Sequence, residues 1–320
     1  MPSSTDVSMA VSIAASWAWG VSLFVGMEVV STRGLDVFVI WALGNTMALA
    51  VFGLTLSRLA KGMRSVSEMI ARAPVYLLAA PIMQLISALV NLTAIRYALT
   101  LMGVPSSCWP MILVVVVVYV AIGGLPWVVA SHWPQYVIWM GALVWGVLSA
   151  REPASLQMGL KDHWPWALWS IPMFLSGPFL DQQLWQRWFS SKQQTPRVWL
   201  LGGLFFGIYL AVVGMAGLKG VQPWSLAVTA LLVAVSTLQS AVEAVGSFAT
   251  TAKARVMLIV AFAVAVAVVL LKEIDLLTFW TAYASVRVFF ALAIVTMLLR
   301  RRPWRHGRIL GPEDREVLER

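Results

Sequence analysis

Apolar runs of roughly the length that carries a helix across a bilayer, near twenty residues, recur along this chain. They fall at 8–30, 35–57, 74–99, 108–126, 132–150, 164–180, 197–218, 224–250, 254–271 and 276–299. Most of the gaps between them are too short for a separate soluble domain. Hydrophobic residues make up 60% of the chain and charged residues 12%, about half the charge that the surface of a soluble domain needs. The expected fold is an all-α membrane protein of ten transmembrane helices, one core over 1–299 followed by a basic tail over 300–320.

The one cysteine, Cys108, excludes an internal disulfide and a cysteine-based metal cluster. The stretch Met1–Ser8 has no basic segment and more spans follow the first run, so that run is expected to stay rather than be cleaved. A net charge of +9 raises nucleic acid as a partner. The basic residues sit at helix ends and in the tail, however, which membrane topology explains, and the expected surroundings are a lipid bilayer without nucleic acid.

With a cytoplasmic N-terminus, the inner loops hold Arg58, Lys61, Arg64 and Arg72, then Arg187, Lys192 and Arg197, then Lys253 and Arg255. Arg300, Arg301, Arg302, Arg305 and Arg308 add to the same side. The outer side holds Arg33, Arg151, Lys161, Lys219 and Lys272, several beside Glu152, Asp162, Glu273 or Asp275. This bias selects an even number of spans with both termini cytoplasmic in a cell inner membrane. Ten spans divide into halves of five, about 8–150 and 164–299, and an odd number per half makes the halves inverted repeats, as in many secondary transporters. Residue-level identity between the halves is lacking, so a bundle without internal symmetry stays open.

Four motifs occur in chain order: Ala14-Ala15-Ser16-Trp17-Ala18-Trp19-Gly20-Val21-Ser22-Leu23 with Gly34 downstream, Tyr119 to Leu125 with its Gly123-Gly124 pair, Asp181-Gln182-Gln183-Leu184-Trp185-Gln186-Arg187 continuing to Lys192, and Val233 to Ser240. Each resembles a stretch of the sodium:solute symporter family. They match, in turn, its first core helix, its junction of helices four and five, the D-Q-x-x-W-Q-R segment after its sixth helix, and the serine- and threonine-bearing part of its eighth. The third is closest to the urea and polyamine branch, the fourth to the proline transporters. The family usually runs longer, and this chain looks like a minimal LeuT-type core.

The resemblance implies a ten-helix, five-plus-five inverted repeat with helices one and six broken. It implies a sodium site formed by the carbonyls of Ala15, Ala18 and Val233 with the hydroxyls of Ser236 and Thr237, sodium being the coupling ion and no other cofactor being called for. Read without the family, Ser236, Thr237 and Ser240 back-bond to their own helix or bond a neighbour. Where the family carries Thr-Asp after Gly-Gly-Leu, this chain has Ser131-His132. An imidazole with an ordinary pKa near 6.5 can carry a proton, so proton coupling at His132 and a merely interfacial histidine both stay open.

A solute is expected near the midplane between helices one and six, with Trp17, Trp19, Ser22, Trp169, Phe174 and Ser176 as candidate contacts. Pro172, Gly177 and Pro178 suit a break in the sixth span, though kinks are frequent in ordinary spans and aromatic residues in packing or interfacial belts. Glu28, near the outer end of helix one, and Glu243 and Arg287, deeper, are intramembrane charges and therefore functional candidates, the last two as a buried ion pair or gate contact, or else facing water-filled cavities or snorkelling. Asp181, Gln182 and Arg187 fall where the sixth span leaves on the basic side, as an inner gate or as a solvated amphipathic helix. His132 and Glu243 join them as coupling candidates.

Zinc-protease, Walker A and nucleophile-elbow patterns are missing, and an enzyme is not expected. The expected function is a sodium-coupled symporter importing a small polar solute (urea, an amino acid or a carboxylate) by alternating access. Proton coupling, a non-transporting sensor on the same core, and self-association stay open.

Overall fold

The structure is a computed structural model that describes residues 4–60, 62–150, 156–190, 195–249, 251–270 and 276–300. Lys61, Arg151, Glu152, Lys192, Lys272, Glu273, Asp275 and the tail from 301 on, all used in the topology argument, lie outside those residues. The described chain is helical throughout: α1 (Ser4–Trp17), α2 (Gly20–Arg33), α3 (Leu35–Leu59), α4 (Val66–Arg72), α5 (Tyr76–Leu101), α6 (Trp109–Leu148), α7 (Leu160–Leu180), α8 (Gln182–Ser190), α9 (Pro196–Lys219), α10 (Pro223–Gly246), α11 (Ala252–Leu270) and α12 (Leu276–Arg300). By length and apolarity alone, six of the described helical segments can cross a membrane, or seven when α1 and α2, bent by 66° against each other, count as one span. This is a multi-pass membrane protein.

Burial sorts the helices into inner and outer ones. In the most apolar window of α5 and of α10, 72% of the residues are buried, against 28% in the segment containing α6 and 11% in α11. The outer faces carry Leu43, Met47, Met111, Val115, Ile122, Leu204, Met257 and Val264, all exposed. Such faces are stable against lipid and not against water. The inner pair, α5 and α10, pack on each other, and α10 also packs on α1, α2, α6 and α8.

The expected spans meet two corrections. Residues 108–126 and 132–150 are not separated by a loop, because α6 runs from Trp109 to Leu148 and turns at Gly124, whose φ of 60° and ψ of −160° are non-helical. The Tyr119 hydroxyl donates to the Trp127 carbonyl at 2.8 Å, although eight residues of straight helix would separate them by about 12 Å. The helix therefore bends sharply there, and a positive φ is accessible to glycine without strain. In the sixth span, Pro172, Gly177 and Pro178 all lie inside a continuous α7. The helix breaks only at Asp181, and α8 follows with residues 182–188 buried.

Small residues set how closely the inner helices approach, as expected where lipid removes the usual hydrophobic drive between helices. A β-carbon at position 20 would stand 2.7 Å from those of Ala234 and Ala94, on α10 and α5. Gly20→Ala is therefore expected to push α2 off both helices and to lower stability by about 1–3 kcal/mol. Thermal unfolding in detergent reads this, and an unchanged melting point would show that the contact relaxes freely.

Candidate functional site

The break between α1 and α2 creates the site. Trp19 is extended (φ −67°, ψ 143°), so its N–H turns to the Trp17 carbonyl at 3.0 Å and that of Ser22 turns to Trp19 at 2.8 Å. The carbonyls of Ala15 and Ala18 thereby lose the donors that a continuous helix would supply four residues on. The open, buried start of α2 is capped from another helix, the Gly20 N–H donating to Asn91 Oδ1 at 2.7 Å. Asn91 is held by its own Nδ2, which donates to the Ser87 carbonyl at 2.6 Å.

α10 meets the freed carbonyls with two hydroxyls. Thr237 Oγ1 lies 2.9 Å from the Ala18 carbonyl, 3.3 Å from that of Ala15 and 3.2 Å from that of Val233. Ser236 Oγ lies 3.3 Å from the Ala15 carbonyl and 2.8 Å from that of Val233. Five oxygens, from α10 and from the end of α1 with its break, thus lie in one hydrogen-bonded cluster, and all five residues are fully buried. The hydroxyls bond both to their own helix and across to the break, so the back-bonding and cross-helix readings coexist in this geometry.

His132 lies directly behind. It is neither in a loop nor at an interface but inside α6 and fully buried. Its Nδ1 is 2.9 Å from Ser12 Oγ and its Nε2 is 3.1 Å from the Ser236 carbonyl. Arg187 Nε donates to the same Ser12 Oγ at 3.0 Å. A carbonyl only accepts, so His132 Nε2 donates to Ser236; in a neutral ring Nδ1 then accepts from the Ser12 hydroxyl, whose oxygen in turn accepts from Arg187. That direction fits a neutral ring with its proton on Nε2, both nitrogens being committed.

Arg187 itself is fully buried rather than on a basic loop or a solvated helix. Its Nη1 donates to the Gln183 carbonyl at 2.8 Å and its Nη2 to Ser240 Oγ at 2.9 Å, so one guanidinium ties α8 to α1 and α10. Its removal also weakens the inner-loop charge count by one. Gln182 is buried as well, accepting from the Tyr76 hydroxyl at 2.6 Å and donating to Ser247 Oγ at 2.9 Å. Asp181 occupies the break before α8, where its Oδ1 accepts from the Gln183 N–H at 3.0 Å and from Gln84 Nε2 at 3.1 Å.

The other intramembrane charges pair differently from the sequence expectation. Glu243 forms its ion pair with Arg255 of α11, and Arg255 also donates to the Val120 carbonyl at 3.1 Å, holding α11 to the turn of α6. Arg287 instead donates through Nε and Nη2 to the Met173 carbonyl, at 2.8 and 2.5 Å. Glu28 is exposed and belongs to none of these networks among the described residues.

Beside the break lies a cavity of about 40 Å³, counted as the space open to the centre of a water molecule. That is room for roughly three waters. Trp17, Trp19, Ser22 and Phe174 line it, joined by Trp41, Asn45 and Arg287. Trp17 Nε1 donates to Asn45 Oδ1 at 2.8 Å, which fixes one wall. The other two candidates stand elsewhere: Trp169 is exposed with its Nε1 3.3 Å from Ser285 Oγ, and Ser176 donates back to the Met173 carbonyl at 2.8 Å.

Sequence reading missed Ser12, Trp41, Asn45, Gln84, Ser87 and Asn91. A signal for the last three exists, since polar residues at 84, 87 and 91 in an apolar span form one stripe of a helix. Ser12 and Asn45 carry no such signal. No model of a known protein family matches this chain, and no curated protein matches it either.

Proposed function

We propose that the chain is a cation-coupled secondary transporter, with sodium as the coupling ion, that brings a small polar solute inward by alternating access across a cell inner membrane. The observation that carries this reading is the convergence of five buried oxygens, three of them carbonyls, at a helix break. Dehydrating an alkali cation at membrane depth requires such oxygens, and broken helices supply them in transporters. The adjoining cavity supports a solute of a few heavy atoms, and its Arg287 and indole groups suit one bearing a carbonyl or carboxylate oxygen.

The finer architecture of the proposal is a five-plus-five LeuT-like bundle with cytoplasmic termini. It rests on counting α1 with α2, α3, α5, each half of α6 about Gly124, α7 with α8, α9, α10, α11 and α12 as one pass each, which would make ten where length and apolarity alone give six or seven. In that reading the broken pairs α1–α2 and α7–α8 are the first member of each half, and the cation links the first break to α10.

Uptake of labelled urea, proline and small carboxylates into proteoliposomes, under a sodium gradient, a proton gradient or neither, tests the reading. Sodium-driven accumulation is expected. Ser236→Ala and Thr237→Ala should each raise the sodium concentration for half-maximal uptake about tenfold, the equivalent of one lost ligand near 1.4 kcal/mol. Sodium-driven uptake that ignores both changes would place the ion elsewhere, and absence of flux for every solute from folded protein would sink the transport reading.

A further inference from the structure

Behind the cation site, α5 and α8 enclose a second polar cluster that the coupling scheme above does not use. Asp181 and Gln183 on the break and first turn of α8, and Gln84 and Ser87 on α5, are all fully buried. They are joined in series: Gln84 Nε2 donates to Asp181 Oδ1 at 3.1 Å, and Gln183 Nε2 donates to Gln84 Oε1 at 2.9 Å and approaches Ser87 Oγ at 3.4 Å. Both amide nitrogens of the series therefore donate within it. Two acceptors are left over, Asp181 Oδ2 and Gln183 Oε1, neither with a hydrogen-bond partner among the described residues.

A buried carboxylate with an oxygen lacking a donor is costly. Two spare oxygens are too few to replace the water shell of an alkali ion, but a proton needs only one oxygen to hold it and a second to receive its hydrogen bond. We infer that Asp181 is a proton-binding site, taking up one proton on its carboxylate as the protein cycles and releasing it again.

The surroundings allow both forms. The unfilled Oδ2 leaves a place for a proton, while the carboxylate is held by the Gln84 and Gln183 donors on Oδ1 and by the N-terminal end of α8, where the helix dipole stabilises a negative charge. The elements about α8 carry further titratable groups. Glu243 on α10 is paired with Arg255, Tyr76 on α5 donates to Gln182, and His132 on α6 is bonded to Ser12 and Ser236. Glu68 on α4 accepts from the Arg64 N–H, with Arg72 beside it, while Asp6 lies on α1 and Lys161, Asp162 and His163 lie in the first turn of α7. Protonation would weaken the cap at the break, and α8 carries Arg187, whose bonds reach Ser12 on α1 and Ser240 on α10. Proton uptake is thereby connected to the helices that form the cation site. As a coupling device this rests on the transport reading; as a binding site it does not, and the test reads binding alone.

Infrared difference spectra of the purified full chain, recorded as the pH is stepped from mildly acid to mildly alkaline, report carboxylic-acid carbonyl bands directly. A titrating acid band is expected in the unaltered protein and in Glu243→Gln, and its loss in Asp181→Asn. Asp181→Glu should keep a titrating band at a shifted frequency, which covers the case of an unfolded Asp181→Asn. A band that survives in Asp181→Asn, or an Asp181 carboxyl that stays ionised or stays protonated over the whole range, would overturn the assignment.

Discussion

Arg187→Ala is expected to lower the unfolding free energy by about 3–5 kcal/mol, the largest stability loss in this chain from one substitution at the network. The guanidinium is fully buried and donates to Ser12, the Gln183 carbonyl and Ser240, on three different helices. Its truncation removes all three donors at once and opens a hole between α1, α8 and α10. Arg187→Met separates the two contributions, because methionine restores most of the volume and none of the donors, and should cost about 1–3 kcal/mol. Reversible unfolding in detergent micelles measures both. Arg187→Ala within about 1 kcal/mol of the parent would mean that Ser12, Ser240 and the Gln183 carbonyl find other partners, and the relay through His132 would lose its anchor.

Gly177→Leu is expected to reduce solute uptake at least about 100-fold, an effect near 2.7 kcal/mol, while the protein stays folded. A β-carbon at position 177 would stand 2.5 Å from Trp17 Cη2 and 3.4 Å from the Arg287 guanidinium. A leucine there must enter the cavity or displace Trp17, whose indole is held by Asn45. With only about 40 Å³ to fill, the side chain leaves no room for a solute. Gly141→Leu is the control, since nothing lies within 4 Å of its added β-carbon. Equal uptake by the two variants would remove the cavity from the solute path, whereas a loss confined to Gly177→Leu, in protein shown to be folded, would support it.

The membrane class was legible because apolar run length is a one-dimensional property and a helix satisfies its own backbone. The break in the first span was expected only through the resemblance of residues 14–23 to a family's first core helix, and α2 does begin at Gly20. Positions 233, 236 and 237 could be grouped because their spacing places them on one face of a helix. Which helix that face meets is a different kind of information. Nothing in the residues around Ser12 marks it as the shared acceptor of Arg187 and the partner of His132, 175 and 120 positions away.

Charge was where one-dimensional reading failed. Arg187 looks like a loop residue because a short polar stretch follows an apolar span, and the same stretch looks like a gate or a solvated helix. In the fold, the polar groups of α8 find partners on α1, α5 and α10, which makes burial affordable for a segment that hydropathy alone would leave outside. Glu243 and Arg287 looked like partners because both are charged and deep, but Arg255 reaches Glu243 first, from a helix end only twelve positions on. Composition and apolar run length thus determined the helical class and its membrane setting. Only tertiary packing decided which carbonyls, hydroxyls and charges meet, because the energy of a buried polar group depends on the partner opposite it rather than on its neighbours along the chain.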